Sequence, residues 1–219
     1  MTPERYQRIR TVLAQRTTDL TVLMDRVHKP HNLSAIVRSC DAMGVARAHA
    51  VAPHRLQVHR HTSSGSGRWV DVVVHPNIEA AAGRVRSDGL RIVAAHRGPD
   101  SCPLDEVDLT RPTALLVGSE LEGLSDDARE LADQVVEVPM RGMVESFNVS
   151  VATAVLLYEA VRQRNASADY RPAPLAPEEQ QRLAFEWSYP RVARACRAQG
   201  EPYPPLDDDG YFLAQGKSR

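Results

Sequence analysis

Two polar side chains flank a predicted buried helix face in the segment "NLSAIVRSC" (32–40). Its apolar residues have the i, i+3, i+4, i+7 spacing of a helix stripe that packs on a core. They are Leu33, Ile36, Val37 and Cys40. Asn32 stands where this helix would begin, and Arg38 lies beside the stripe. An amide at a helix start can position an anion near the free N–H groups, and an arginine, which stays protonated, can stabilise a phosphate or a forming oxyanion.

A purely structural interpretation of the same two residues also exists. Asn32 is a common residue type for capping the N-terminus of a helix. Arg38 is three residues before Asp41, a spacing that suits an ion pair on a helix surface. This segment alone leaves both interpretations open.

A second segment, "LLVGSELEGLS" (115–125), runs from an apolar strand into Gly118, Glu120 and Gly123. In an open α/β sheet, ligands bind beyond the carboxyl ends of the strands. Glycines at such a place let the backbone approach a ligand closely. The alternative is a tight turn with an exposed glutamate.

A third segment, "VPMRGMVESFNVSVATAVLLYEAV" (138–161), predicts a strand end, a loop and a long apolar helix. Ser146 and Asn148 stand at the helix start, where either could be a cap. The loop also contains two methionines and Phe147, and apolar walls beside a few polar atoms are typical of a small-ligand pocket. Gly142 is expected at a tight turn where a side chain is excluded.

These segments lie in a chain whose apolar runs alternate between strand and helix patterns. Strands are predicted at 20–25, 48–53, 70–74, 91–96, 113–118 and 134–139. Helices are predicted at 3–16, from 32 to an end at Gly44, and at 76–87, 125–132, 147–164 and 177–199. Such alternation, with nearly continuous apolar strands, predicts an α/β fold with a mainly parallel sheet.

Composition excludes several classes of protein. The chain has 219 residues, 42% of them hydrophobic, enough for one substantial core. No apolar run approaches the ~18 residues of a membrane span, and the start resembles no signal peptide. Three dispersed cysteines do not suggest a disulfide framework. We therefore expect a cytoplasmic protein that does not bind a membrane.

Histidines are numerous, but their spacing does not predict a metal site. The candidates are His28, His31, His54, His59 and His61. No acidic residue or cysteine shares their spacing, so we interpret them as solvated loop residues and expect no metal.

Charge is distributed unevenly although the net charge is only −1. Residues 98–145 contain twelve acidic residues against three arginines, whereas both ends of the chain are rich in arginine. This pattern predicts a polyanion such as RNA bound by the ends, or else an ordinary solvated surface. The candidate RNA contacts are Arg5, Arg8, Arg16, Arg191 and Arg194. Trp187 and Tyr189, in the second basic segment, could pack against the core or stack on bases.

In order and spacing, the motifs "NLSAIVR", "VGSELEGLS" and "VPMRGMVESFNVSVATAV" closely resemble the signatures of the SpoU/TrmH RNA 2′-O-methyltransferases, within the SPOUT superfamily. The segments "PERYQRIRTVLAQRTTDLTVLMDRVHKPHN" and "EEQQRLAFEWSYP" resemble the tRNA guanosine branch of that family, so the likeness covers nearly the whole chain. The resemblance implies a SPOUT-type sheet with helices on both faces and a C-terminal deep trefoil knot, which general rules of chain topology would not predict. It also implies a homodimer with the active site at the interface.

The resemblance further divides the chain and assigns its site. It implies an N-terminal helical extension (1–18), a methyltransferase domain (19–165) and a C-terminal extension (166–219). The matching catalytic positions are Asn32, Arg38, Glu120, Ser146 and Asn148. The positions expected to hold S-adenosyl-L-methionine, largely through backbone atoms, are Ala95, Gly118, Val138, Met140 and Phe147. Leu121 departs from the family, in which many members have lysine.

The activity implied is methyl transfer from S-adenosyl-L-methionine to a ribose 2′-hydroxyl in tRNA, which leaves S-adenosyl-L-homocysteine. The target would be a D-loop guanosine, conventionally position 18. The alternatives are a ribosomal RNA 2′-O-methyltransferase of the same family and an inactive RNA-binding homologue.

Overall fold

The structure, a computed structural model, describes residues 1–52, 68–119 and 121–213. Its helices are α1 (Pro3–Ala14), α2 (Pro30–Ala42), α3 (Ile78–Ser87), α4 (Asp126–Glu130), α5 (Val149–Ala166), α6 (Pro177–Ser188) and α7 (Pro190–Gln199). Its strands are β1 (Leu20–Met24), β2 (Arg47–Val51), β3 (Asp71–His75), β4 (Arg91–Ala95), β5 (Cys102–Pro103), β6 (Thr113–Val117) and β7 (Gln134–Glu137). A short 3-10 helix spans Leu104–Glu106. Among the described residues, no helix is long and apolar enough to cross a membrane.

The strands form one sheet in the order β3-β2-β1-β6-β4-β7-β5, and all neighbouring pairs are parallel. Strand β6 pairs with β1 over five positions, from Leu20 opposite Thr113 to Met24 opposite Val117. Its other neighbour is β4. Because these strands are parallel, the carboxyl ends of β1, β6, β4 and β7 come to the same edge of the sheet. The predicted mainly parallel α/β sheet is confirmed.

Alternate residues of the central strands pack into two separate apolar layers. Leu20, Val22 and Met24 of β1 belong to the layer that includes α2 and α5. Leu23 belongs to the opposite layer, with α3 and α4. Helices therefore cover both faces of the sheet, as predicted, while the trefoil knot stays a prediction.

Helix α2 begins earlier than predicted. Its N-cap is Lys29 and its first residue is Pro30, so Asn32 lies inside the first turn, where its N–H donates to the Lys29 carbonyl at 3.0 Å. The interpretation of Asn32 as the N-cap is wrong. Proline is favoured at the first helical position because it has no N–H to leave unpaired and its φ is already helical. Gly44, with a φ of 76°, follows the helix and confirms its predicted end.

The last predicted helix, 177–199, is in fact two helices, α6 and α7, separated by Tyr189. Pro190 has no N–H with which to continue α6, and it becomes the first residue of α7 instead. Strand β5 was not predicted, because two residues carry no readable alternation.

The chain divides into two compact units. We call Met1–Arg16 with Pro174–Arg219 the terminal unit, and Thr17–Ala173 the sheet unit. In the terminal unit α1 packs on α6, and Trp187 is only 7% exposed. The Tyr189 hydroxyl donates to the Gly210 carbonyl at 2.7 Å. Of the two interpretations of these aromatic residues, packing is therefore the one observed.

A buried arginine joins several segments of the sheet unit. Arg164, near the end of α5, is 3% exposed. Its Nη1 donates to Asp19 Oδ1 at 2.7 Å, and its Nε donates to the Leu109 carbonyl at 3.0 Å. Its Nη2 donates to the carbonyls of Asp19 and Arg111, both at 3.0 Å. The planar fork of donors thus joins α5 to two other chain segments, at Asp19 and at residues 109–111.

Two buried histidines face each other on neighbouring strands. His49 Nδ1 lies 2.9 Å from His75 Nε2, and the rings stack with centroids 5.2 Å apart. Burial first, and then the neighbouring His75 ring, lower the pKa of His49 to about 4. Burial also lowers the pKa of His75. The pair is therefore neutral at physiological pH, with one ring donating to the other.

This pair predicts acid-dependent stability. A histidine in the unfolded chain has a pKa of about 6.5, whereas the pKa of His49 in the native protein is about 4. Between these two pH values the unfolded chain binds a proton at His49 and the native protein does not. The free energy of unfolding should therefore fall by about 2 kcal/mol between pH 7 and pH 5. Urea denaturation across that range checks this. His49→Asn should flatten the dependence, and His28→Asn, at an exposed histidine, should not; equal slopes in both variants would contradict the assignment.

Candidate active site

Two asparagines from distant segments meet between α2 and α5. Asn148 is the N-cap of α5, and its Oδ1 accepts from Ser150 N at 2.9 Å and from Ser150 Oγ at 2.6 Å. Its Nδ2 donates to Asn32 Oδ1 at 3.2 Å. The first and third sequence motifs, 116 residues apart, are thus in direct contact.

Asn32 has a donor left over. The residue is 2% exposed, and within the described part of the chain its Nδ2 has no hydrogen-bond partner. An unsatisfied buried donor costs free energy in a protein without a ligand. The donor lies in the first turn of α2, beside the N-cap of α5, and free N–H groups at helix starts favour anions. A phosphate or ribose oxygen is a suitable acceptor there.

Arg38 lies further along α2 and is exposed. It is six positions after Asn32, which corresponds to roughly 9 Å along the helix axis. The two side chains of one chain therefore leave α2 from different turns.

The loop after β7 carries the other polar candidates. Residues 141–148 are all exposed, including Ser146, and Phe147 is 42% exposed. Gly142 also lies in this loop, and a Cβ built on it would meet nothing within 4 Å. The expectation that a side chain is excluded at Gly142 is therefore wrong, because the position is open.

The predicted cofactor positions gather at the carboxyl edge of three adjacent strands. Ala95 ends β4, Gly118 follows β6, and Val138 follows β7. Ala95, Val138 and Met140 are half-buried. This edge is where parallel α/β sheets bind ligands, and its apolar lining suits a cofactor held largely through backbone atoms.

The loop 118–125 leaves this same edge from β6. Ser119 and Gly123 exchange two backbone hydrogen bonds of 3.0 Å. A Cβ on Gly118 would lie 2.2 Å from the carbonyl carbon and oxygen of Gly123. The absence of a side chain at Gly118 therefore lets the loop approach itself closely, and the expected contact of this glycine with a ligand stays a prediction. Glu120 lies outside the described residues, and Leu121 is 81% exposed.

This close approach predicts a strong effect of one methyl group. Gly118→Ala should displace residues 123–124, lower the free energy of unfolding by about 1–3 kcal/mol and weaken binding of S-adenosyl-L-methionine. Gly142→Ala, where space is open, is the matched control and should leave stability unchanged. Urea denaturation and calorimetric titration measure both. Equal losses of stability and of cofactor affinity in the two variants would show that the close contact between Gly118 and Gly123 does not cause the effect.

The candidate RNA contacts fall in the terminal unit. Arg5 and Arg8 on α1, and Arg191 and Arg194 on α7, are exposed, and none forms an ion pair with another described residue. Arg16 differs, because it is 2% exposed and its guanidinium carbon lies 5.7 Å from the Trp187 ring centroid. A buried guanidinium does not reach a phosphate at the surface, so we withdraw Arg16 as an RNA contact.

The described residues also bear on a possible metal site. In the described ranges, no group of three or more His, Cys, Asp or Glu residues could hold a metal ion. His54, His59 and His61 lie outside those ranges.

One buried acidic residue was not predicted from the sequence. Asp25 is 1% exposed at the carboxyl end of β1. An acid directly after an apolar strand was the available signal.

Comparison with known proteins extends these observations. Residues 19–158 match the SpoU rRNA Methylase family, and residues 162–215 match the family described as SpoU, rRNA methylase, C-terminal. The chain is 46% identical to the tRNA (guanosine(18)-2′-O)-methyltransferase of Escherichia coli K12 over 217 residues, which are 98% of this chain and 95% of that protein.

Solved structures agree. The TrmH/SpoU tRNA modifying enzyme of A. aeolicus superposes with a TM-score of 0.77 at 39% identity, covering 86% of this chain and 97% of that one. The SpoU methyltransferase AviRb from Streptomyces viridochromogenes, solved in complex with the cofactor AdoMet, has a TM-score of 0.62 at 32% identity and covers 69% of this chain and 63% of that one. The resemblance inferred from the three motifs is confirmed, and the chain belongs to the SpoU methylase family.

Proposed function

We propose that this protein is a tRNA (guanosine(18)-2′-O)-methyltransferase, which methylates the ribose 2′-hydroxyl of a D-loop guanosine with S-adenosyl-L-methionine. The observation that carries the proposal is the Asn32–Asn148 contact, which joins two family motifs around an unsatisfied donor. The tRNA substrate is supported by the E. coli relative, which matches nearly the full chain. The ribosomal RNA and inactive alternatives are not favoured.

We assign the cofactor to the carboxyl edge of β4, β6 and β7. Ala95, Gly118, Val138, Met140 and Phe147 would hold it, and when bound it supplies a methyl group already activated by a sulfonium. S-adenosyl-L-homocysteine is the product. The half-buried apolar side chains suit this group, because methyl transfer removes charge and needs no strong electrophile from the protein.

The remaining residues act on the nucleophile. An arginine side chain is a cation and not a base in proteins. In this proposal Arg38 therefore stabilises the forming 2′-alkoxide and holds the adjoining phosphate, while the proton of the hydroxyl leaves late or to a phosphate oxygen. Asn32 Nδ2 donates to an RNA oxygen, and Asn148 orients Asn32 by its own donated bond. Glu120 and Ser146 complete the proposed methyl-transfer site.

A homodimer is part of the proposal. Val151 and Tyr158 on α5 are 46% and 61% exposed, and Met143 and Val144 in the preceding loop are 100% and 62% exposed. A group of exposed large apolar side chains is typical of an interaction surface. An exposed Arg38 could then serve the site of a partner subunit. Sedimentation equilibrium tests the oligomeric state, and a monomer at micromolar concentration would contradict it.

We assign the methyltransferase domain to residues 19–165, with the extensions 1–18 and 166–219 serving RNA binding. We also propose that the protein is cytoplasmic, as a tRNA substrate would suggest. These assignments rest on the resemblance and on the exposed arginines of the terminal unit.

Mapping the methylated nucleotide tests the function. We expect purified protein with S-adenosyl-L-methionine to block alkaline cleavage after guanosine 18 of an unmodified tRNA transcript. A transcript with 2′-deoxyguanosine at that position should accept no methyl group, and ribosomal RNA should accept none. Methylation of ribosomal RNA alone would transfer the proposal to the alternative substrate, and cofactor binding without any methylation would favour the inactive homologue.

The arginines of the terminal unit predict a change in the salt dependence of tRNA binding. The association constant for tRNA falls as salt rises, and removing one arginine–phosphate interaction makes the slope of log K against log salt less negative by about 0.7 to 0.9. Arg191→Ala with Arg194→Ala should therefore make that slope less negative by about 1.4 to 1.8. The matched control, Arg84→Ala with Arg129→Ala, removes the same charge from arginines paired with Asp88 and Asp126. Filter binding across a salt series measures both, and equal slopes in the two double variants would assign α7 to packing alone.

A further inference from the structure

The described side chains include a buried carboxylate that has no place in the proposed chemistry. Asp25 follows β1 directly and is 1% exposed. Its N–H donates to the Val117 carbonyl at 2.8 Å, which continues the pairing of β1 with β6 by one residue. Burying a carboxylate is costly unless it is hydrogen-bonded or paired. The partners of Asp25 therefore indicate what the residue is for.

Those partners lie at the far end of the loop 118–125. Asp25 Oδ2 accepts from Ser125 N and from Ser125 Oγ, each at 2.8 Å, across 100 residues of chain. The same hydroxyl accepts from Ala128 N at 3.2 Å and so caps α4. One carboxylate oxygen thus fixes the residue at which the loop ends and α4 begins.

The neighbouring residue makes a second connection to the same loop. Arg26 has a φ of 53°, and within the described chain it is the one non-glycine residue with a positive φ. An arginine rarely adopts this conformation. Its Nη1 lies 3.4 Å from Glu122 Oε2, and its Nε lies 3.5 Å from Asp25 Oδ1. Asp25 and Arg26 together therefore contact both residues 122 and 125 of the loop.

Asp25 lies in the chain between β1 and α2, close to two of the three motifs. After Arg26, the chain runs within a few residues into α2, which carries Asn32 and Arg38. The loop that Asp25 holds contains Gly118 at one end and Glu120 near its middle. The carboxylate therefore links the segment that leads to the first motif with the loop that forms the second.

We propose that Asp25 is a positioning residue, which through Ser125 fixes the loop 118–125 relative to α2 and so sets the geometry for methyl transfer. The inference rests on the proposed function for its kinetic consequence. Asp25 touches neither substrate nor cofactor in this role. A small displacement of a reacting group lowers a rate strongly, so loss of the Asp25–Ser125 bonds should act on the rate of transfer more than on affinity.

The test compares Ser125→Ala and Asp25→Asn with a control for the lost helix cap. Asn77→Ala removes an equivalent cap, the 2.9 Å bond to Ala80 N on α3, without touching the loop. In single-turnover assays with saturating cofactor and tRNA, Ser125→Ala and Asp25→Asn should slow transfer about ten- to a hundred-fold. The KM for tRNA, measured from steady-state rates at varied tRNA concentration, should change less than twofold. Asn77→Ala should keep the wild-type rate, and Ser125→Thr, which retains the hydroxyl, should restore it.

Two further measurements make the result decisive. Since both residues act through the same bonds, the double variant should be no slower than the slower single variant. Hydrogen exchange at the Gly123 amide, which donates to Ser119, should accelerate in Asp25→Asn and not in Asn77→Ala. Wild-type rates in folded Ser125→Ala and Asp25→Asn, or additive losses, would overturn the proposal. If wild-type protein methylates no RNA, the proposed function fails, and unchanged exchange at Gly123 separately overturns the positioning role.

Discussion

Replacing Arg38 by alanine is expected to lower the single-turnover rate of tRNA methylation by about 100- to 1,000-fold, the usual effect of removing one group that stabilises a forming oxyanion. The side chain is exposed on α2, so the free energy of unfolding should change by less than about 0.5 kcal/mol. Affinity for S-adenosyl-L-methionine should also be retained. Quenched-flow methylation with labelled cofactor, together with calorimetry, measures these quantities.

Two controls separate catalysis from a surface ion pair. Arg84→Ala removes an exposed arginine from α3 and should leave the rate unchanged. Asp41→Ala would reproduce the effect of Arg38→Ala if the role of Arg38 were to pair with Asp41. A near wild-type rate in Arg38→Ala, or an equal loss in Asp41→Ala, would remove Arg38 from the active site.

The second large effect concerns stability. Arg164→Ala removes four hydrogen bonds, one to the Asp19 carboxylate and three to backbone carbonyls, and leaves that buried carboxylate without its cationic partner. Losing one partner of a buried ion pair costs about 3–5 kcal/mol, a large part of the total stability of a domain. Urea denaturation followed by circular dichroism should show the loss as a lower midpoint.

The neighbouring Arg162 provides the control. It lies two residues earlier on α5 with 53% of its side chain exposed, and it pairs with Glu159 at 2.7 Å. Exposed pairs contribute at most about 1 kcal/mol, so Arg162→Ala should be nearly silent. The double variant Asp19→Ala with Arg164→Ala should lose less free energy of unfolding than the sum of the losses in the two single variants. The reason is that Asp19→Ala removes the buried carboxylate that Arg164→Ala leaves without a cation. Additive losses would mean that the two residues act independently.

The central sheet was predictable because its strands are buried on both faces. Strands β1 and β6 are buried at every position, so their sequences read as continuous apolar runs. Gly44 marked the end of α2 for an equally local reason, its positive φ. The start of α2 was misplaced because two local signals competed, and Pro30 prevailed over Asn32.

What could not be predicted depends on pairs brought together by topology. Nothing near Asp25 in the sequence indicates Ser125, and the two meet only because β1 and β6 are neighbours. The stacking of His49 on His75 likewise follows from the β2–β3 pairing. Arg16 resembles the other arginines of the basic ends in sequence, yet it is 2% exposed, with its guanidinium carbon 5.7 Å from the Trp187 ring centroid. Residue type and spacing singled out the polar residues of the candidate site, and family resemblance gave them roles, whereas the free donor on Asn32 could be found only in the folded structure.

The pairing of β1 with β6 also constrains how the chain is made. Residues 20–24 leave the ribosome well before residues 113–117, their partners on one side of the sheet. At a synthesis rate of about 5–20 residues per second, that edge of β1 stays open for several seconds. An open apolar strand edge is a template for pairing with another chain. The nascent protein should therefore depend on chaperones most strongly before β6 emerges, and ribosome-bound chains stalled before residue 113 should be the most prone to aggregate.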